Sequence, residues 1–201
     1  MRLDVAVVGS AKGVDRVKIG VVSDTHGDFA AWEKAWDVVL RDCDFIFHCG
    51  DILYHGPKFD PGPGHGPREI AAALNSLAVP LLLARGNGDS DVDSLVIEAP
   101  IQSPYALAQI EGTRFLATHG HLQSPDELLS LAARWGVDYL LTGHTHVPLV
   151  RVVEGVTHLN PGTTTYPLAK DDALCVPSCA VIADDSVTVV NLDTGEPVPL
   201  L

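Results

Sequence analysis

The sequence predicts an α/β fold in which two packed β-sheets carry helices on their outer faces. Three observations predict it. Strand-like apolar runs alternate with amphipathic helical segments between residues 18 and 146. Beyond them, four further strand-like runs follow one another with short turns and no helical pattern. Two such halves bury their apolar faces by stacking sheet on sheet with the helices outside.

Each element has its own signal. Lys18 to Ser23 (KIGVVS) is a short apolar strand ending in Asp24-Thr25-His26-Gly27. Asp28 is placed to N-cap a helix in which Phe29, Trp32, Trp36 and Val39 to Leu40 form one apolar stripe. Asp44 to His48 (DFIFH) is a second strand, ending at Gly50-Asp51. Residues 55 to 66 (HGPKFDPGPGHG) hold four glycines and three prolines and read as an exposed loop. Pro67 starts a helix with Ile70, Ala73, Leu74 and Leu77 on one face. Pro80 to Ala84 is a third strand, running into Arg85-Gly86-Asn87-Gly88-Asp89, and Thr113 to Thr118 a fourth, running into His119-Gly120-His121. Ser124-Pro125-Asp126-Glu127 is a capping box with Pro at the first helical position, and Gly136 closes that helix. Tyr139 to Thr142 is a fifth strand, running into Gly143-His144-Thr145-His146. Leu149 to Val153, Val156 to Leu159, Ser178 to Ala183 and Val187 to Asn191 read as a β-meander.

The 201 residues suit one domain, 18–201, after an N-terminal extension of residues 1–17. Met1 to Gly9 is either an added edge strand or, if Val17 marks the true start, part of a mis-assigned leader. No apolar run approaches the roughly 18 residues of a membrane span, and no secretory leader precedes the first strand, so a cytoplasmic protein is expected. The net charge of −13 excludes a long nucleic-acid track, which needs clustered Lys and Arg, but leaves a small phosphate-bearing substrate open. Cys43, Cys49, Cys175 and Cys179 lack metal-site spacing and are expected as small apolar side chains. Nothing in the pattern fixes an oligomeric state, and a homo-oligomer stays open.

The five strand ends hold the chemistry. Asp24, His26, Asp51, Asn87, His119, His144 and His146 are seven candidate metal ligands, and loops at the carboxyl ends of strands are where α/β sheets gather their sites. Oxygen and imidazole donors without thiolate suit Mn, Fe, Zn or Mg. If Asp24 and His26 alternate along extended backbone, both point the same way, as do His144 and His146. Seven donors are too many for one ion but suit two, given a bridging carboxylate. Such a pair clamps a phosphoryl group and activates water. Metal-assisted phosphoester hydrolysis is the expected reaction. Tyr54 and His55 are candidate pocket residues. Arg85 faces either phosphate or a nearby carboxylate, and Asp89 is placed to orient the Asn87 loop. His48 and His158 are expected as packed residues, His65 as solvated, and Trp32, Trp36 and Trp135 as core.

In order and spacing, Asp24-x-His26, Gly50-Asp51, Gly86-Asn87, His119-Gly120-His121 and Gly143-His144-x-His146 resemble the calcineurin-type metallophosphoesterases. Gly50 to Pro57, Gly86-Asn87-Gly88-Asp89-Ser90, Thr118 to His121 and the Asn160-Pro161-Gly162-Thr163 turn are most similar to the small bacterial YfcE-type phosphodiesterases of that superfamily. The resemblance implies a four-layer α/β/β/α sandwich. It implies Asp24, His26 and His146 on one divalent ion, Asn87, His119 and His144 on the other, Asp51 bridging, and a metal-bound hydroxide as nucleophile. It implies Mn²⁺ first, with Fe, Zn, Ni or Mg as alternatives, and a small phosphodiester as substrate. Asn87 then also contacts substrate. Gly88 stands where many such proteins carry a catalytic His, and His121 is the nearest substitute as acid or substrate contact. A phosphomonoesterase, a cyclic-nucleotide hydrolase and a non-catalytic protein-binding scaffold of the same fold remain alternatives.

Overall fold

The computed structural model describes residues 17–184 and 186–200. Met1 to Gly9, read as either an added edge strand or part of a mis-assigned leader, lies outside them. The elements run β1 (Ile19–Val22), α1 (Phe29–Val38), β2 (Phe45–His48), α2 (Pro67–Asn75), β3 (Leu81–Ala84), β4 (Ile101–Gln102), β5 (Ala106–Ile110), β6 (Thr113–Ala117), α3 (Pro125–Arg134), β7 (Tyr139–Leu141), β8 (Leu149–Val153), β9 (Val156–Asn160), β10 (Ser178–Ala183) and β11 (Ser186–Asn191). One sheet has the order β11-β10-β1-β2-β3-β4 and the other β5-β6-β7-β9-β8. Both are mixed. β1 to β4 are parallel neighbours, as are β6, β7 and β9, while β5, β8, β10 and β11 run antiparallel at the flanks.

The period-two alternation of the strands builds the four layers. Val22, Ile46 and Leu83 point outward under Trp32 and Ala35 of α1 and Ile70 and Leu74 of α2. Their sequence neighbours Val21, Phe47 and Ala84 point inward and meet Phe115, Leu141 and Leu159 of the second sheet. Leu116 and Leu140 point outward again, under Leu128 and Ala132 of α3. Each fully buried side chain of this size contributes about 1.5–3 kcal/mol.

The helix ends follow their sequence signals. Asp28 Oδ1 accepts the Ala31 amide at 3.0 Å. At α3 the Ser124 hydroxyl accepts the Glu127 amide, and the Glu127 carboxylate accepts the Ser124 amide at 2.8 Å. Two expectations are corrected. The strands after residue 148 are not one meander: β8 and β9 extend the second sheet, while β10 and β11 cross to the first. Trp135 is not core; it is 40% exposed, with its ring edge-on to Tyr105. Trp32 is buried as expected, with Trp36 half-buried. Cys43, Cys49 and Cys179 are buried and all four cysteines are free. Among the described residues no helix is long and apolar enough to cross a membrane.

Candidate metal centre

The loops after β1, β2, β3, β6 and β7 meet where the two sheets present the carboxyl ends of their parallel strands. The backbone ladder between β1 and β2 continues into these loops. Asp24 donates its amide to Gly50 O at 3.0 Å and His26 donates to Asp51 O at 3.0 Å. The expected extended alternation does not occur. Asp24 (φ 54°), His26 (47°), Asp51 (57°), His144 (68°) and His146 (57°) are all left-handed. An L-residue with a side chain adopts that conformation at a cost on the order of 1 kcal/mol or more. The chain therefore reverses its handedness at five of the seven expected ligands, and this curl, not a pleat, aims them at one point.

Around that point the donors are arranged as follows. Asp24 is fully buried. Its Oδ2 accepts the Ser23 hydroxyl at 2.6 Å and the His144 amide at 3.0 Å. Its Oδ1 is buried and has no hydrogen-bond partner. That atom faces the Nε2 atoms of His146 at 3.2 Å, His26 at 3.6 Å and His119 at 3.9 Å. Asp51 Oδ2 lies between His119 Nε2 (3.4 Å) and His26 Nε2 (3.8 Å). Asn87 Oδ1 is 3.2 Å from His119 Nε2. The His144 ring stands 5.1 Å from that of His119, centroid to centroid, and is exposed.

The imidazole tautomers follow from the far side of each ring. Carbonyl oxygens only accept, so Nδ1 carries the proton in His26 (to Tyr54 O, 2.7 Å), His146 (to Tyr166 O, 2.6 Å) and His119 (to Cys49 O, 2.8 Å). In the neutral rings the Nε2 lone pairs then face carboxylate oxygens and, for His26 and His146, each other at 3.2 Å. Acceptors facing acceptors in a buried site are stable only around positive charge. This is also how metal-ligating histidines are held.

The electrostatics agree. Burial alone would raise the Asp24 carboxyl, but contacts with His146 and His26 and the nearby His119 hold it well below the usual carboxylate range. Burial would lower His119, but the Asp51 contact and both carboxylates push it up to about 9. Burial opposes protonation of His26 too, and Asp24 outweighs it. The site collects cations, as protons or as metal. Two groups of donors each come within 4.8 Å of one another: Asp24, His26 and His146, and Asp24, Asp51 and His119. These residues fit divalent ions, and the donor set of carboxylate, amide and imidazole matches the expected chemistry.

Supporting residues complete the site. Asp89, expected to orient the Asn87 loop, is buried and accepts the amides of Asp51 (2.9 Å), Ile52 (2.7 Å) and Gly86 (2.7 Å), so it holds the Asp51 loop as much as the Asn87 loop. Arg85 pairs with Asp91 and the Asp89 carbonyl. Gly86 is required by space, since a Cβ there would lie 2.1 Å from Asp51 Oδ1. His48 is packed as expected, between the Gly50 amide and the Thr25 hydroxyl. His65, expected as solvated, is half-buried: its Nδ1 is out of solvent and its ring stands edge-on to His55. His121 is half-buried beside His119 and His144, with centroids at 5.3 and 6.0 Å, and its Nδ1 is buried without a partner.

A cleft of about 240 Å³ opens on His26, Asp51, Asn87, His144 and His146, with Tyr54, His55 and Gly88 on its walls. Phe59 and Leu168 also line it, and Tyr166 backs Phe59; sequence reading passed over all three. Their only signal was position, in the loop after Asp51 and just past the Asn160-Pro161-Gly162-Thr163 turn. In that turn Thr163 donates to Asp24 O at 2.8 Å, and Asn160 donates to Gly143 O at 2.8 Å.

This geometry is that of a metallophosphoesterase, and comparison with known proteins agrees. The calcineurin-like phosphoesterase superfamily domain matches residues 17–183, and the chain belongs to that superfamily. Among its relatives is phosphodiesterase YfcE of Escherichia coli strain K12, 32% identical over 178 residues, which are 88% of this chain and 93% of the relative. A phosphodiesterase of Methanocaldococcus jannaschii is 27% identical over 154 residues, 73% of this chain and 83% of the relative. The solved structure of the E. coli YfcE phosphoesterase superposes with a TM-score of 0.77 at 28% identity, covering 90% of this chain and 96% of that one. A zinc-bound Vps29 from Entamoeba histolytica, at 20% identity and TM-score 0.62 over 89% of this chain and 94% of that one, shares the fold.

Proposed function

We propose that this chain hydrolyses small phosphodiesters at a centre of two divalent metal ions, Mn²⁺ first. As a superfamily member with a 32%-identical phosphodiesterase relative along 88% of its length, it is a phosphoric ester hydrolase. The observation that carries the metal reading is the unpartnered, buried Asp24 Oδ1 facing three histidine Nε2 atoms. Asp24, His26 and His146 would hold one ion, and Asn87, His119 and His144 the other. Asp51, whose Oδ2 sits between His26 and His119, would bridge them. Two ions so held would lower the pKa of bound water and stabilise charge on the phosphoryl oxygens.

The chain's own residues do the rest. The Tyr54, Tyr166 and Cys49 carbonyls fix the three ring orientations. Asp89 and the Gly88 amide, which donates to Asp51 Oδ1 at 2.7 Å, fix the bridging carboxylate. Asn87, Tyr54 and His55 border the cleft and contact substrate. His121 stands beside His119 and His144 rather than among the residues that line the cleft, and is kept as the candidate acid or substrate contact in place of the side chain that Gly88 lacks. Among the described residues Lys58 is the only lysine or arginine lining the cleft, which suits a diester monoanion over a monoester dianion.

The test is hydrolysis of an aryl phosphodiester and the matching monoester by chelator-stripped protein with Mn²⁺ restored. Metal-dependent turnover favouring the diester is expected. Preference for the monoester would shift the assignment to a phosphomonoesterase. No turnover and no stoichiometric metal would leave the protein-binding scaffold.

A further inference from the structure

We propose that the cleft holds a subsite for a flat, uncharged aromatic arm of the phosphodiester, formed by Tyr54, Phe59 and Leu168 and screened against cationic arms by Lys58. The inference rests on the phosphodiesterase reading and adds the substrate class.

The cleft begins at the metal-site residues and its outer walls are apolar. Gripping a phosphate needs no such walls. Tyr54 is 47% and Leu168 40% exposed, so both leave apolar surface in water that a ligand would cover. Phe59 is fixed before any ligand arrives. Its ring lies parallel to Tyr166 at 4.2 Å and 5°, and near-parallel to His146 at 5.5 Å and 26°. It also stands 5.7 Å from His26. The same ring therefore touches two metal-site histidines and the cleft, which places the apolar wall directly beside the phosphate position. A wall already ordered loses little freedom on binding. Tyr54 is braced in turn by the His55 ring at 5.1 Å.

Aromatic walls accept two kinds of arm: flat π-systems, and quaternary ammonium groups held by cation–π attraction. Lys58 decides between them. Its Nζ stands 5.3 Å from the Phe59 centroid, so it sets a positive charge beside the wall that repels a second cation, while an uncharged ring can displace this exposed side chain or pack against Tyr54, Leu168 and the Phe59 edge. The arm that fits is aromatic and uncharged.

The test uses three phosphinates that lack a cleavable P–O ester bond: the dimethylphosphinate and benzyl(methyl)phosphinate monoanions, and the zwitterionic trimethylammonioethyl(methyl)phosphinate, whose phosphinate carries the same single negative charge. Each is titrated calorimetrically into the Mn²⁺-loaded full chain. The benzyl compound is expected to bind about tenfold tighter than dimethylphosphinate, the size of one aromatic contact. The ammonium compound is expected to bind no tighter than dimethylphosphinate. Tyr54→Leu and Phe59→Leu should each shrink the benzyl preference, and Lys58→Ala should strengthen ammonium binding. If Phe59→Leu fails to fold, Tyr54→Leu still decides, because that ring is half exposed. Equal affinity for the benzyl and dimethyl compounds, no benzyl binding, or tightest binding of the ammonium compound overturns the subsite. Diester turnover is scored separately. Benzyl preference without turnover keeps the subsite and removes the reaction, and turnover without the preference does the reverse.

Discussion

Asp24 shows how much of the site depends on single atoms. One carboxylate oxygen is saturated by Ser23 and the His144 amide, and the other is left free among three imidazoles. The saturated oxygen aims the free one. The approach is so close that a Cβ on Gly143 would lie 2.0 Å from Ser23 Oγ and 2.8 Å from Asp24 Oδ2. Gly143→Ala should therefore turn Asp24 away. We expect metal affinity to fall by about 10–100-fold, the usual scale when a ligand's support is disturbed. Metal titration monitored by calorimetry checks this, and unchanged affinity would show that Asp24 is not aimed from this side.

At the scale of elements, strand ends place ligands and helix ends fix the strands. α3 leans on its capping box, and Ser124→Ala should cost about 1 kcal/mol of stability, read from denaturant unfolding. The helices were legible in the sequence because caps and apolar stripes are local signals. The clustering of the seven expected ligands was legible because each lies within a few residues of a strand end. β4 and β5 were not. β4 has only two residues, and the alternation of β5 is blurred by Leu107, which is 53% exposed. The left-handed conformations at Asp24 and His146 were also hidden, since tertiary convergence imposes them on residues that do not prefer them. The Phe59 and Tyr166 stack joins loops more than a hundred residues apart, which no local pattern records.

The whole molecule buries several histidines, and their protonation couples folding to pH. His158, between Arg151 and Thr142, and His48, between Gly50 and Thr25, are pushed down to about 4 from 6.5, chiefly by burial. A depressed histidine contributes stability that is fully present above 6.5 and lost as pH falls toward 4, because the unfolded chain binds the proton first. His26 and His119, which are raised, act oppositely: their contribution is full below 6.5 and lost as pH rises through their folded values, about 9 for His119. Metal-free protein should therefore lose stability between pH 6.5 and 4. His158→Gln should flatten that slope by up to one proton, measured by denaturant unfolding across the window. An unchanged slope would contradict the assignment. The crossing of the last two strands back to the first sheet was not legible either, because two hairpins of similar pattern fit either sheet edge.

The central claim is a two-ion centre bridged by Asp51. Its most direct test is the number of Mn²⁺ ions retained per chain, counted by native mass spectrometry in the wild type and in Asp51→Asn. Two ions in the wild type and at most one in the variant is the expected result. One ion in the wild type, or two retained without the Asp51 carboxylate, would contradict it.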